Sequence, residues 1–266
     1  MSTVDDVAQL SGLQQTSATL PPAHDHPAMF SRELLVPLAE TIRGRQSVVD
    51  PFAGTGRIHV IADLAGVPQS TGIELEPEWA NSALFAGPDR IQIVGDSLEI
   101  LPTFESGTFD AVLTSPAYAN RMADAHEAKD ACKSCDGSGV DGASECKVCK
   151  GKGLSRRNTY RHRLGRPLSD NNAGGLQWGP DYRDLHRAIW LATADVLAPG
   201  GAFIVNCSNH IRQGQLIDVC GWHMDVLVEI GLVPVKVVAV ETRRQRHGAN
   251  GSVRVAGEQI IICRKP

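Results

Sequence analysis

The chain has 266 residues, with 26 Lys+Arg against 30 Asp+Glu and a formal net charge of −4. No global positive field therefore marks it as a nucleic-acid binder, and any such surface must be local. Apolar content is 42%, ordinary for a globular protein. No run of about 18 apolar residues occurs, which excludes a membrane-spanning helix.

Residues 1–24 are polar and acidic near their start. They lack the basic and apolar regions of a signal peptide and read as a flexible arm. From 28 to 42 a helical pattern follows, with Leu34, Leu35, Leu38 and Ile42 on one face. SVVD then reads as a strand, PFAGTG as a turn, and RIHVIADLAG as a helix ended by Gly66. STGIELE is a strand, and PEWANSALFA a helix with Pro77 in its first turn. IQIVGD is a strand, SLEILP a short helix, and FDAVLTS another strand. This alternation predicts an α/β fold, a mostly parallel sheet with helices on both faces. From about 120 to 179 the chain is rich in Gly, Cys and basic residues and loses its periodicity. So long an interruption in a compact domain is functional or disordered. Order returns with YRDLHRAIWLATADVLAPGG (a helix, then a Gly-Gly turn), the strand AFIVNCS, the helix LIDVCGWHMDVLVEIGL, the strand PVKVVAVETR and a final strand within VRVAGEQIIICRKP. The reading is one domain with one insertion: an arm (1–24), a first half of the core (25–119), an insertion (120–180) and a second half of the core (181–266).

Three acids fall at successive strand ends: Asp50, Glu74 and Asp96. In open α/β sheets that rim is where ligands bind. Gly54 and Gly56 in the turn after Asp50 let the backbone approach a ligand closely. Glu74 is placed to accept hydrogen bonds from ribose hydroxyls, and Asp96 to meet an adenine amino group. The turn lacks the Lys-Ser/Thr ending of a phosphate-binding loop, which argues against a nucleoside triphosphate. A nicotinamide cofactor fits the glycine spacing only in part, because His59 stands where its fingerprint has a third glycine.

DPFAGTG, the acid after the second strand, and Ser115-Pro116-Ala117-Tyr118 after the fourth together resemble the S-adenosylmethionine-dependent amino-methyltransferases. The nearest group is the DNA N4-cytosine/N6-adenine methylases. HPAMFSRELL resembles the segment that holds the cofactor's methionine end in that group. The resemblance covers roughly 25–118 and, more loosely, 182–266. LGRPLSDNNAGGLQWGPDYRDLHRAIW and RRQRHGAN are similar to phage and actinobacterial members. It implies a Rossmann-like methyltransferase fold with a seven-stranded sheet. The cofactor would be bound by Pro27, Met29, Phe30, Asp50, Phe52, Gly54, Gly56, Glu74 and Asp96. Ser115, Pro116 and Tyr118 would form the catalytic turn. There the Ser115 side chain and the Pro116 carbonyl would grip both hydrogens of an exocyclic amine, and Tyr118 would stack on the flipped base. No covalent nucleophile is needed, so catalysis would rest on orientation and electrostatics. The family usually has a second proline where this chain has Ala117, which frees an N–H and loosens the turn. The serine leans toward cytosine N4 over adenine N6.

CKSCDGSG and CKVCKGKG are two copies of C-x-x-C-x-G-x-G, with ten residues between Cys135 and Cys146. Two such turns supply four thiolates, so Cys132, Cys135, Cys146 and Cys149 are expected to hold a structural Zn2+ in a closed tetrahedral site. Such a site would fold an insertion too small to bury a core of its own. The motif resembles the zinc modules of DnaJ-type chaperones, without implying chaperone activity. Residues 150–166 follow, basic and free of acids, with Tyr160 and His162 available for stacking. Arg156, Arg157, Arg161 and Arg163, with Arg243 and Arg244 beyond the penultimate strand, are the candidate nucleic-acid contacts. The expectation is a cytoplasmic methyltransferase acting on a DNA base amine, with no membrane partner. An RNA base methyltransferase, a protein glutamine methyltransferase and a catalytically weak, zinc-stabilised nucleic-acid-binding protein are the rivals.

Overall fold

The computed structural model describes residues 26–28, 30–82, 87–123, 130–155, 159–242 and 255–266. The N-terminal arm, Met29, Arg156, Arg157, Arg243 and Arg244 lie outside the described residues. The chain opens with α1 (Arg32–Ile42), which buries Leu34, Leu35, Leu38, Ala39 and Ile42 as its periodicity requires. Full burial of an aliphatic side chain of this size contributes roughly 1.5–3 kcal/mol. β1 (Ser47–Asp50), α2 (Arg57–Ala65), β2 (Gln69–Glu74), α3 (Pro77–Ala80), β3 (Arg90–Val94), α4 (Ser97–Ile100) and β4 (Phe109–Thr114) follow. The insertion holds a two-residue-strand hairpin, β5 (Val140–Asp141) with β6 (Ser144–Glu145), and a short α5 (Tyr160–Leu164). The second half is α6 (Pro180–Val196), β7 (Leu197–Cys207), a hairpin of β8 (His210–Arg212) and β9 (Gln215–Ile217), α7 (Val219–Glu229), β10 (Val233–Glu241) and β11 (Gly257–Arg264).

Seven strands form one sheet in the order β10-β11-β7-β4-β1-β2-β3. β3, β2, β1, β4 and β7 pair in parallel, whereas β11 runs antiparallel to both β7 and β10. Strand alternation divides the core into two layers. Val48, Ala111, Leu113, Ala202, Ile204 and Ile260 pack with α1 and α2. Val49, Val112, Phe203, Val205 and Ile261 pack with α6 and α7. Because the chain runs outward from β1 to β2 and β3 and then returns to place β4 on the other side of β1, a crevice opens at the strand C-termini between β1 and β4. That is where sheets of this kind bind ligands. β11, running the other way, delivers its first residues to the same rim.

Several boundaries depart from the sequence reading: α1 starts at Arg32 and not near residue 28, and α3 ends at Ala80, with Asn81 and Ser82 in a turn. Gly200-Gly201 lies within β7, not before it: Leu197 pairs with Phe109, and pairing resumes only at Ala202 with Ala111. The intervening residues bulge, with Gly200 at φ +75°. The β8–β9 hairpin was not expected, since its turn residues Gln213 (φ +50°) and Gly214 (φ +76°) lack the Asn-Gly signal that such turns usually carry. It takes the segment before α7, so that helix starts at Val219, where Asp218 caps it through the Gly221 N–H. Among the described residues no helix is long and apolar enough to cross a membrane.

Candidate active site

A cleft enclosing about 820 Å³ of space not filled by protein atoms runs along the rim. The turn after β1 forms its floor. Gly54 and Gly56 take φ +53° and +74°, and Gly56 opens α2 without a side-chain cap. A Cβ on Gly54 would stand 3.4 Å from the His26 ring, an ordinary contact, so it is the φ of +53° and not crowding that calls for glycine there. His26 packs edge-on to Trp79 at 4.4 Å and Tyr160 at 5.8 Å. Burial there lowers its pKa to about 4. Arg57 in α2 donates from Nη1 to the Phe30 carbonyl, tying the segment to the helix. Phe30 and Phe52 line the cleft, and Phe52 stacks on His186 at 5.2 Å. Pro27 is half-buried and does not line the cleft.

Asp50 is buried at the tip of β1. Its Oδ1 accepts the Phe52 N–H at 2.9 Å, while Oδ2, beside the Thr114 hydroxyl, makes no hydrogen bond of good geometry. Burial raises its pKa to about 7. Glu74 accepts the Gly54 N–H at 2.9 Å on one oxygen and the Glu76 N–H at 2.8 Å on the other. Burial likewise raises it to about 7. Each oxygen retains a second lone pair toward the cleft. Asp96 caps α4 through the Leu98 N–H at 2.9 Å, and its Oδ2 accepts Asn171 Nδ2 at 3.3 Å. Glu74 and Asp96 line the cleft, whereas Asp50 is buried at the tip of β1 and is not part of that lining; Asp50 and Glu74 also build the turn that they flank. A glycine-bearing floor and the Glu74 and Asp96 carboxylates fit a cofactor that carries a ribose and an adenine, while the unpartnered Asp50 Oδ2 lies buried off the cleft lining.

Ser115 and Ala117 line the same cleft beyond β4. Pro116 is buried, and Tyr118 packs against the core layer under α6 and α7. The Tyr118 hydroxyl lies 2.7 Å from Ser115 Oγ and donates to Glu258 Oε2 at 2.8 Å. Asn206 Nδ2 reaches Glu258 Oε2 at 2.6 Å, Tyr118 Oη at 3.0 Å and Ser115 Oγ at 3.3 Å. Where the missing proline would leave the turn loose, it is held from behind. Trp190 Nε1–H donates to His223 Nδ1 at 3.1 Å, which leaves the neutral ring's proton on Nε2. That N–H faces the Tyr182 hydroxyl at 3.1 Å, and the hydroxyl donates to the Ala117 carbonyl at 2.7 Å. Burial holds the His223 pKa well below its ordinary value, so the ring stays neutral.

The insertion supplies one wall of the cleft through Tyr160, Asn171, Asn172, Ala173 and Gly174. Glu76, fully buried, anchors that wall. It accepts Arg166 Nη2 at 2.7 Å, the Ser169 N–H at 2.8 Å, Ser169 Oγ at 3.0 Å and Asn172 Nδ2 at 2.7 Å. Arg166 also pairs with Glu78 at 2.6 Å. These contacts correct the view of 150–166 as an uninterrupted free stripe. Arg166 meets acids supplied by another part of the chain, and Tyr160 is buried in the cleft and cannot stack on an outside partner. Arg161 and Arg163 are half-buried on α5. Lys133, Lys147, Lys150 and Lys152 on the cysteine module are exposed.

The four cysteines converge, their sulfurs within 4.8 Å of one another. The 3.7 Å between Cys135 and Cys149 Sγ matches the edge of a tetrahedron with metal–sulfur bonds of about 2.3 Å. The two copies clasp each other about a local pseudo-twofold: Cys132 N–H donates to Gly153 O and Cys146 N–H to Gly139 O, each at 2.8 Å. The last glycine of each repeat is obligatory at that contact. A Cβ on Gly139 would stand 2.4 Å from Gly151 O, and one on Gly153 2.3 Å from Gly137 O.

Sequence reasoning missed Glu76, Asn206, Glu258 and the Tyr182–His223 pair, and gave Tyr160 a surface stacking role in place of the cleft wall it forms. Asn206 and Glu258 left a trace, as polar residues within or beside apolar strand runs (FIVNC and EQIIIC).

No family model matches the chain. It is 29% identical over 100 residues to the tRNA (guanine(10)-N2)-dimethyltransferase of Pyrococcus abyssi, a match spanning 34% of this chain and 30% of that protein. Among solved structures it superposes on a chain of the complex between the Haloferax volcanii Trm112 methyltransferase activator and a protein assigned as a methyltransferase. The TM-score is 0.51 at 13% identity, over 88% of this chain and 89% of the other. The 4+2 cyclase SpnF gives a TM-score of 0.50 at 14% identity, over 88% and 80%. With the strand order, these likenesses establish a Rossmann-like methyltransferase fold. A cyclase among them shows that this fold alone does not fix the reaction.

Proposed function

We propose that the chain is an S-adenosylmethionine-dependent methyltransferase acting on an exocyclic amine of a nucleic-acid base. The observation that carries this reading is that Ser115 and Ala117, in the turn after β4, line the same cleft as Glu74 and Asp96. When bound, the cofactor supplies an electrophilic methyl group on sulfonium. Glu74 would accept its ribose and Asp96 its adenine, with Gly54, Phe30 and Phe52 shaping the floor and Asp50 holding the glycine turn from beneath through the Phe52 N–H. Ser115 Oγ and the Pro116 carbonyl would orient the amine lone pair, and the base would lie against Tyr118. Cys132, Cys135, Cys146 and Cys149 would hold zinc as a closed structural site, since four thiolates leave no position for a reactant. The exposed lysines of that module, with Arg161 and Arg163, would contact phosphates.

DNA is the substrate expected from the sequence motifs, with cytosine N4 or adenine N6 as the target. RNA is the second reading, favoured by the stretch shared with a tRNA guanine-N2 enzyme. Incubating the protein with methyl-labelled cofactor and either sheared genomic DNA or total RNA tests both. Label in DNA supports the first reading and label in RNA the second. Cofactor binding without label in either would leave a zinc-stabilised binding protein.

A further inference from the structure

The polar knot behind Ser115 has a direction. A carboxylate only accepts, so the Tyr118 hydroxyl must give its one proton to Glu258 Oε2. Ser115 then has to be the donor in its 2.7 Å contact with Tyr118 Oη. Asn206 Nδ2, whose two protons can only be donated, lies within 3.3 Å of all three members, closest to Glu258 Oε2. Every hydroxyl proton in the chain thus points away from the cleft. Ser115 Oγ turns a lone pair, and no proton, toward whatever binds there.

We propose that Glu258 is the terminal proton acceptor for methyl transfer, reached from the target amine through the Ser115 and Tyr118 hydroxyls. This rests on the amine-methylation reading above. As the amine nitrogen bonds to the methyl carbon, the carbon–sulfur bond breaks and its electron pair stays on sulfur. The nitrogen, now cationic, must shed a proton. That proton passes to Ser115 Oγ, the Ser115 proton to Tyr118 Oη, and the Tyr118 proton to the Glu258 carboxylate, which ends as a neutral acid. The N–H electron pair remains on nitrogen. No hydroxyl ends charged, because each loses one proton as it gains another. Glu258 is half-buried on β11, so it can return its proton to solvent between turnovers. Ser115 would be the only relay hydroxyl to reach the reacting amine; the Tyr118 hydroxyl and Glu258 act through it.

Glu258→Gln tests this, because glutamine keeps an oxygen acceptor for Tyr118 and Asn206 but cannot take up a proton. The assay is single-turnover transfer of labelled methyl to sheared genomic DNA and total RNA, with cofactor affinity and thermal midpoint measured alongside. The expected result is a fall in rate of about 10²-fold or more, the usual weight of a general base. KM, cofactor affinity and midpoint should stay near the parent values, and the parent's solvent deuterium isotope effect should disappear. A rate within about twofold of the parent overturns the relay, as does a rate that falls only together with cofactor affinity and midpoint. Should Glu258→Gln not fold, Tyr118→Phe interrupts the same path: the same fall in rate supports the relay, and a rate near the parent's overturns it. A parent protein that binds cofactor but labels neither nucleic acid brings down the substrate reading and the relay with it. Active parent and equally active E258Q bring down the relay alone.

Discussion

Replacing Tyr182 by Phe removes one oxygen from the interior and leaves the ring in place. That oxygen bridges the Ala117 carbonyl at 2.7 Å and His223 Nε2 at 3.1 Å, and both Tyr182 and His223 are fully buried. Phenylalanine therefore strands an acceptor and a donor at once. Each buried group left without a partner costs about 1–3 kcal/mol, so the pair costs roughly 2–5 kcal/mol. At about 2–4 °C per kcal/mol for a domain of this size, the thermal midpoint should fall by roughly 5 °C or more. The released carbonyl sits in the turn proposed to orient the target amine, where a displacement of about 1 Å would suppress transfer by something like 10²-fold. Cofactor affinity should hardly change, because Tyr182 does not line the cleft. Calorimetric melting, cofactor titration and single-turnover transfer measure the three quantities. A midpoint within about 1 °C of the parent, or a transfer rate left intact, would refute the idea that this hydroxyl stands in for the missing proline.

The remaining expectations concern the cleft and the cysteine module. Asp50 and Glu74 rise by burial from 3.8 and 4.5 to about 7. Native-state protonation therefore favours folding below the lower values, and that contribution is lost as pH climbs through 7. A cationic ligand beside them draws off those protons, so cofactor affinity should rise between about pH 6.5 and 8 with protons released on binding, read by calorimetry in buffers of differing ionisation enthalpy. His26 and His186, lowered by burial to about 4, have the opposite sign. They cost stability only as pH falls below 6.5 and do not obscure that window. Cys132→Ser should reduce zinc, measured by atomic emission, from one per chain to near none; retention of one would disprove the four-thiolate site. Glu76→Gln should weaken cofactor binding about tenfold, or 1.4 kcal/mol, at unchanged zinc content. Equal affinity would show that the insertion wall stays put without its buried carboxylate.

What the sequence made legible was local. Asp50, Glu74 and Asp96 each end a strand within an unbroken βα alternation, so strand ends and acids could be read together. The doubled cysteine spacing needs only turns of a few residues. What escaped depends on contacts between distant segments. Glu76 meets Ser169 and Asn172 across more than ninety residues, and Tyr118 meets Glu258 across 140. Nothing in either flanking stretch announces its partner. Arg166 illustrates the same limit from the other side: it looked like part of a solvent-facing run because its acids come from β2's exit, which composition along 150–166 does not contain.

The wall that residues 160–174 lend to the cleft bears on how such an enzyme could be re-engineered. A recognition module that merely hung from the core could be swapped for another to redirect the target. Here the transplant would carry off Tyr160 and the Asn171–Gly174 turn, and leave the Glu76 carboxylate buried against nothing. A chimera has to be cut inside the insertion, between the cysteine clasp and α5, so that the donor brings its own fingers and the recipient keeps its own roof.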